Sequence, residues 1–380
     1  MSPPGRPKGE YRSAQREGAS NNAPLILADA VSKRFQPRLS FGERLAARLG
    51  SPVESRTVHA VDRVSLSIRN GEVLGLVGES GCGKSTFGRM LTGILPPSEG
   101  RVLLEGQPIM TGGRRPVKRD RRIQMVFQNP FSSLNPRMTV GKAIAEGPLA
   151  HGLVSRDRAA AYVADWLARV GLDPDFAERY PHQFSGGQRQ RIATARALAM
   201  QPEVIVCDEP VASLDVSIQA QIINLFLQLR RELSLTMLFI SHDLGVVQHL
   251  CDRVAVMYLG RIVETAEAAA LYAAPRHPYT QGLLNSIPKL RLDEAPVIYH
   301  PIAGELPTPL SPPAGCHFHA RCPLAEERCR SIVPPLIEVG ERREAACHLV
   351  PRVSARDDAA SAHGFAAPPP APPAAGTLRN

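Results

Sequence analysis

The chain has 380 residues, 43% of them hydrophobic, enough for one large domain with extensions. No unbroken apolar run reaches the roughly 18 residues of a bilayer-spanning helix, and Met1-Ser-Pro-Pro-Gly-Arg6 lacks the apolar stretch of a secretory signal, so a cytosolic protein is expected. Much of the formal net charge of +9 is local, as in residues 114–122, and the aromatic content of 5% does not interleave with that run; a solvated basic face is expected rather than a nucleic-acid surface, with anionic lipid headgroups as a second reading.

Residues 1–23 are polar and carry Pro and Gly, the composition of a disordered tail. Residues 25–127 read as strands around one helix, interrupted at 36–56 by an insertion of no assignable role. Glu72-Val-Leu-Gly-Leu-Val77 is an apolar run of strand length, and a helix-competent stretch follows Lys84. Between them lies Gly78-Glu-Ser-Gly-Cys-Gly-Lys-Ser-Thr86, the strand–loop–helix context of a P-loop. Glycines at 78, 81 and 83 let the backbone turn so that successive N–H groups face a phosphate, and the helix N-terminus adds partial positive charge. Gly78, Ser80, Gly81, Gly83 and Thr86 are therefore candidate nucleotide contacts. Lys84 supplies a full charge to the β- and γ-phosphates, and the Ser85 hydroxyl can bind Mg²⁺.

From 131 to about 200 the chain becomes helix-rich. Tyr162, Val163, Trp166, Leu167 and Val170 recur at helical spacing, a stripe of core or interface. Ser185-Gly186-Gly187-Gln188 opens a helix running through Leu198. A serine cap and two glycines expose several N–H groups there, a second phosphate-binding surface about a hundred residues from the first. One nucleotide can use both only if the chain folds back or a partner supplies one. On the helix alone, an ordinary capped terminus is the simpler reading.

Glu203-Val-Ile-Val-Cys207 is a buried-strand candidate that ends in Asp208-Glu209. Adjacent carboxylates at a strand end are costly unless a cation or water meets them. Asp208 is the candidate for Mg²⁺, Glu209 for polarising the attacking water. Strand and helix then alternate over 204–207, 216–232, 236–240, 243–250 and 253–258, which predicts a largely parallel sheet. His242, just past the 236–240 strand, is placed to reach a γ-phosphate.

Cys82, Cys207 and Cys251 are scattered and read as small buried or loop residues. Cys316, Cys322, Cys329 and Cys347 crowd together with spacing C-x5-C-x6-C-x17-C. In a reducing compartment this points to a metal. C-x2-C knuckles are missing, and Pro323 follows Cys322 as in ferredoxin-type sites. An iron–sulfur cluster is the first reading. Zinc, with His317, His319 or His348 as substitutes, is the second, and four reduced thiols the third. Residues 351–380 are Ala/Pro-rich and expected to be disordered.

These segments resemble the ATP-binding subunits of ABC transporters over about residues 25–290. Residues 78–85 match Walker A, Gln128 the Q-loop glutamine, residues 185–188 the family signature and 204–208 Walker B. Glu209 matches the catalytic glutamate, Ser213-Leu-Asp215 the D-loop and His242 the switch histidine. The resemblance implies that the signature of one subunit faces the Walker A of another, so Ser185, Gly186, Gly187 and Gln188 would contact ATP held by a partner. It implies that Gln128 acts with Glu209 and His242 and contacts the Mg²⁺. It also suggests that Phe35 stacks on adenine, with a buried core Phe an equal alternative and His59 a weaker candidate for the stack.

Gln128-Asn-Pro-Phe-Ser-Ser-Leu-Asn-Pro136, Asp215-Val-Ser-Ile-Gln-Ala-Gln221, Met257-Tyr-Leu-Gly260, His277-Pro-Tyr-Thr280 and Arg321-Cys-Pro323 are similar to the oligopeptide/dipeptide importer subgroup, in particular its second, "F"-type ATPase subunit. The resemblance implies an α/β P-loop ATPase core at 25–285, mostly parallel sheet with an antiparallel β part. A helical lobe at about 131–200 would carry the signature and touch the membrane subunits near Gln128, and a Cys-rich C-terminal region would span 286–350. Similar tails in the subgroup carry a [4Fe-4S] cluster, expected here far from the ATP. The implied work is ATP hydrolysis driving peptide import. The partners would be a paralogous ATPase, two integral membrane permeases and, through them, an extracytoplasmic solute-binding protein; no nucleic acid is expected. The expected location is peripheral, on the cytoplasmic face of the bacterial inner membrane. Nickel and glutathione importers share these motifs. Soluble ABC-type ATPases of translation or DNA repair usually fuse two halves or insert modules between motifs, neither of which is present. A small-molecule P-loop kinase leaves residues 185–188 unexplained.

Overall fold

The computed structural model describes residues 23–36, 57–113, 116–118, 120–212, 214–286, 302 and 304–352. The expectations for residues 1–22, for the insertion beyond residue 36, for Ser213 and for residues after 352 fall outside the described residues.

In chain order come β1 (Ile26–Phe35), β2 (Val58–Ile68), β3 (Val73–Val77), helix α1 (Lys84–Leu91), β4 (Glu99–Leu104) and the two-residue strands β5 (Gln107–Pro108), β6 (Met110–Thr111) and β7 (Val117–Lys118). Strand β8 (Ile123–Val126) leads into helices α2 (Pro130–Ser133), α3 (Val140–Ala150), α4 (Ala159–Arg169) and α5 (Gly186–Leu198). Then follow β9 (Val204–Asp208), α6 (Val216–Leu233), β10 (Thr236–Ser241), α7 (Leu244–Leu250), β11 (Arg253–Tyr258) and β12 (Arg261–Glu267). The chain ends with α8 (Ala268–Ala273), α9 (Pro278–Asn285), α10 (Glu327–Ser331), β13 (Ile337–Gly340) and β14 (Arg343–Ala345).

Strands β11, β3, β10, β9 and β8 lie side by side, every pair parallel. β3, β9, β10 and β11 are buried along their whole length. A parallel sheet covered on both faces needs such unbroken apolar runs, which is why these strands were readable. Their side chains alternate between two cores. Val73, Val77, Ile205, Phe239 and Val254 join one with α6 and α7. Leu74, Leu76, Val206, Ile240 and Met257 join the other with α1 and β1. A one-residue slip would exchange the two sets, so the double burial fixes the register. A separate, wholly antiparallel sheet runs in the order β2-β1-β4-β5, and β12 adds to β11 of the main sheet antiparallel.

The helical lobe packs Val140, Ile144, Val163, Trp166, Leu167 and Ile192 together. The Trp166 stripe is core, as its spacing predicts, and the Tyr162 hydroxyl donates to the Ala199 carbonyl at 2.5 Å. One expectation changes. The basic run is not a purely solvated face. Arg122 pairs with Asp120 and Glu105, each at 2.7 Å, and the half-buried Lys118 donates to the Ile123 carbonyl. The C-terminal region joins the main sheet: β14 pairs antiparallel with β12 and β13 with β14.

Candidate nucleotide site

The P-loop begins where β3 ends and closes at the N-terminus of α1. Two glycines are obligatory there. Gly78 (φ +155°) and Gly83 (φ +107°) adopt left-handed backbone. A Cβ on Gly78 would sit 2.1 Å from the Met257 carbonyl oxygen, and one on Gly83 would sit 2.1 Å from that of Ala60. Both contacts are with backbone, so neither neighbour can yield. Lys84 is buried, and its ammonium donates to the Gly78 and Glu79 carbonyls at 2.7 and 2.9 Å. The charge is thus held inside the curl of the loop.

Sheet order brings the acidic pair to the same rim. β9 and β3 flank β10, so Asp208 ends one strand two places from the P-loop. The Ser85 hydroxyl donates to Asp208 Oδ1 at 2.7 Å. Burial pushes the Asp208 carboxyl above the usual carboxylate range, against the pull of the Ser85 hydrogen bond and of Arg89. Two oxygen donors, one of them a desolvated carboxyl, therefore stand together at the loop, a donor set suited to a hard cation such as Mg²⁺.

Glu209 is the meeting point. Its amide donates to the Ile240 carbonyl at 3.0 Å. Gln128 Nε2 donates to Glu209 Oε2 at 2.9 Å, and His242 Nδ1 lies 3.4 Å from the same oxygen. Two distant segments thus converge on one carboxylate. Its backbone is left-handed at φ 45°, which a non-glycine residue adopts only at a cost. Sequence reading missed this, because nothing in Cys207-Asp-Glu-Pro210 signals a positive φ.

Ser185 caps α5, and its bonds are local. Its hydroxyl accepts from the Gln188 amide at 3.3 Å, and the Gln188 side chain accepts from the Ser185 amide at 3.0 Å. This capping box holds Gly186 and Gly187 in the first turn. Phe35 is 40% exposed at the end of β1, so the buried-core alternative is overturned. Its ring lies 5.4 Å from the Lys33 ammonium. The His59 amide donates to the Pro309 carbonyl.

Cys82, Cys207 and Cys251 are buried, as expected. Cys316, Cys322, Cys329 and Cys347 line one small cavity with His277 and Phe318. Burial pushes the Cys322 thiol up to about 11 and also raises Cys316 and Cys347, with neighbouring thiols adding to the shift. Among the described residues, however, no group of three or more His, Cys, Asp or Glu is disposed to hold a metal ion. The expected iron–sulfur site is therefore not preformed. Of the substitute histidines, His319 and His348 also line this cavity, with one ring nitrogen on the Cys316 and the Ile332 carbonyl respectively, whereas His317 bonds the Leu259 carbonyl.

The C-terminal region also reaches the nucleotide loop. Arg321, next to Cys322, forms two hydrogen bonds with the carboxylate of Glu79, the second residue of the P-loop. The Glu79 amide donates to the Tyr279 hydroxyl at 2.9 Å. Both partners belong to segments already conspicuous in sequence, His277-Pro-Tyr-Thr280 and Arg321-Cys-Pro323. No helix among the described residues is long and apolar enough to cross a membrane.

Two family models match the chain, the ABC transporter at residues 61–212 and the oligopeptide/dipeptide transporter C-terminal region at 263–329. The oligopeptide transport ATP-binding protein AppF of Bacillus subtilis (strain 168) is 51% identical over 337 residues, 87% of this chain and 99% of that protein. A putative peptide import ATP-binding protein of Brucella abortus (strain 2308) is 53% identical over 296 residues, 77% of this chain and 87% of that one. Among solved structures, cbiO1 from Clostridium perfringens, part of the ABC transporter complex cbiONQ, is similar with a TM-score of 0.53 at 28% identity, covering 66% of this chain and 91% of that one. With these matches over most of its length, the chain belongs to the ATP-binding subunits of ABC transporters, in the oligopeptide/dipeptide branch.

Proposed function

We propose that this subunit hydrolyses ATP at the Glu209 rim to power the import of peptides. The observation that carries the reading is the convergence of Gln128 and His242 on Glu209 Oε2, beside the Ser85–Asp208 pair. The loop from Gly78 to Thr86 binds the phosphates through backbone N–H groups and the Lys84 ammonium. Ser85 and Asp208, with Gln128 beside them, would hold Mg²⁺, which neutralises phosphate charge when bound. Glu209 orients and polarises the attacking water. Gln128 and His242 fix its carboxylate, and His242, 53% exposed at its side chain, is free to turn toward the γ-phosphate. Phe35 offers an exposed ring to the adenine. Positioning and charge suffice for phosphoryl transfer.

Ser185, Gly186, Gly187 and Gln188 complete the site of a paralogous ATPase subunit, and that subunit's signature completes this one. The capped, glycine-opened N-terminus of α5 supports this. Two permeases dock on the groove lined by Phe127, Ser133, Glu146, His151, Arg196 and Met200, beside Gln128. The subunit is peripheral, on the cytoplasmic face of the bacterial inner membrane, and an extracytoplasmic binding protein delivers the peptide. The peptide substrate is supported by the names of the relatives. The chain divides into an ATPase domain at 25–285, with its lobe at 131–200, and the C-terminal region at 286–350.

The four thiols supply the donor chemistry for a metal, though not its arrangement: on rearrangement of the cavity, Cys316, Cys322, Cys329 and Cys347 would hold a [4Fe-4S] cluster, or zinc in its place. Metal binding would deprotonate the raised thiols and close the cavity, so binding and local folding are coupled. One preparation tests both parts. Purified without oxygen from detergent-solubilised membranes, the subunit should bring two integral membrane proteins and a second ATPase, with about four irons per chain. Recovery of the chain alone would contradict the transporter assembly. Stoichiometric zinc would replace the cluster, and neither metal would leave four reduced thiols.

A further inference from the structure

Glu79 sets an electrostatic problem that the catalytic reading does not use. It is a carboxylate inside a loop built to receive a polyanion. The structure answers it from the far end of the chain. The Arg321 guanidinium reaches Glu79 across 242 residues of sequence and meets both carboxylate oxygens, at 2.7 and 3.0 Å. The pairing is bidentate, the geometry in which Arg fixes a carboxylate most firmly. Arg321 is only 7% exposed at its side chain, against 26% for Glu79. It lies 5.9 Å from the centre of the Tyr258 ring, within cation–π range.

The mounting behind it is rigid. Tyr258 packs edge to face on Tyr279 and Phe318, which are tilted against each other, with centroids 4.6 to 5.3 Å apart, and the Tyr279 hydroxyl accepts from the Glu79 amide. His317 bonds the Leu259 carbonyl, and the Gly260 amide donates to the Cys82 carbonyl. Glu79 is therefore held by its amide, its carboxylate and its carbonyl, and that carbonyl accepts the Lys84 ammonium at 2.9 Å.

We propose that Arg321 is a positioning residue for ATP: it neutralises Glu79 and fixes the P-loop curl that presents Lys84. The inference rests on the P-loop reading of residues 78–86. Without Arg321, a bare carboxylate faces the phosphates and the loop loses one of its three anchors. ATP affinity falls, while the cleavage groups around Glu209 are left as they were. Removing the carboxylate as well abolishes the repulsion, so the double variant regains affinity, which a simple loss of fold could not do.

The test is binding of a fluorescent ATP analogue with Mg²⁺ to the full-length chain, together with KM and kcat in the assembled transporter. Arg321→Ala should raise the Kd and KM about tenfold, the scale of one lost charge-paired contact, with kcat at saturating ATP within about twofold. Arg321→Ala with Glu79→Gln should return the Kd to within about threefold of wild type. Arg321→Gln, which retains a polar contact, covers the case in which the alanine variant does not fold, and should weaken binding in the same direction. A Kd within about twofold of wild type for Arg321→Ala or Arg321→Gln overturns the proposal. So does a double variant no better than Arg321→Ala, since Arg321 would then be a strut of the fold alone. Lys84→Ala is the control: if it too binds the analogue like wild type, the P-loop reading fails rather than the latch.

Discussion

Lys84→Ala and Glu209→Gln should separate binding from chemistry. The Lys84 ammonium sits in the curl of the P-loop, and its proposed work is on phosphates already present in bound ATP. Its loss should weaken ATP binding by about 10–100-fold, the scale of hydrogen bonds to a charged group, and abolish turnover. Glu209 is held by Gln128 and His242, and its proposed contact is with water. Glu209→Gln keeps the shape and the contact with Gln128 but removes the charge. It should retain ATP binding while losing turnover by about 10²–10⁴-fold, the range for a positioned proton acceptor. The closed two-subunit state should then persist with ATP bound. Equilibrium binding and single-turnover phosphate release on the same preparations read both quantities. Wild-type turnover by Glu209→Gln would remove Glu209 from its role.

The second large effect should come from the signature. Ser185 and Gly187 stand at the N-terminus of α5 in a capping box. If their donors meet a nucleotide on the partner, replacing them removes contacts made only in the clamp. Gly187 has a local constraint too: a Cβ there would lie 2.6 Å from the Ile218 side chain, so a larger residue also pushes the terminus off α6. Variants at both positions should cut turnover of the assembled complex by about 10²–10³-fold, as loss of a preorganised donor does. ATP binding by the isolated chain should change little. A cross-linker between Ser185 and the partner's P-loop should react only with ATP present. ATP-independent proximity within one chain would contradict the clamp.

The parallel core was legible because its strands are buried on both faces. Runs such as Glu203-Val-Ile-Val-Cys207 and Thr236-Met-Leu-Phe-Ile240 have no polar face to obscure them, and their observed ends lie within one residue of the expected ones. Helix α6 was equally plain, from Val216 to Leu233. The site residues were legible as motifs, and sheet order explains why motifs so far apart converge: β3, β10 and β9 end on one rim. The tail was harder. β13 and β14 are short and mix polar with apolar positions, so no periodicity announced them. Cysteine spacing gathered the four thiols correctly around one cavity, but spacing alone says nothing of where each sulfur or histidine turns. The Arg321–Glu79 pair was invisible because a long-range ion pair leaves no local pattern. Phe35 shows the converse, a lone aromatic at a strand end whose burial only the finished sheet decides.

The most direct measurement is ATP-driven uptake of a labelled peptide into vesicles carrying the assembled transporter, with this subunit either wild type or Glu209→Gln. Wild-type vesicles should accumulate peptide in step with phosphate release, and vesicles with Glu209→Gln should bind ATP yet accumulate none above background. Undiminished peptide accumulation with Glu209→Gln would contradict the account.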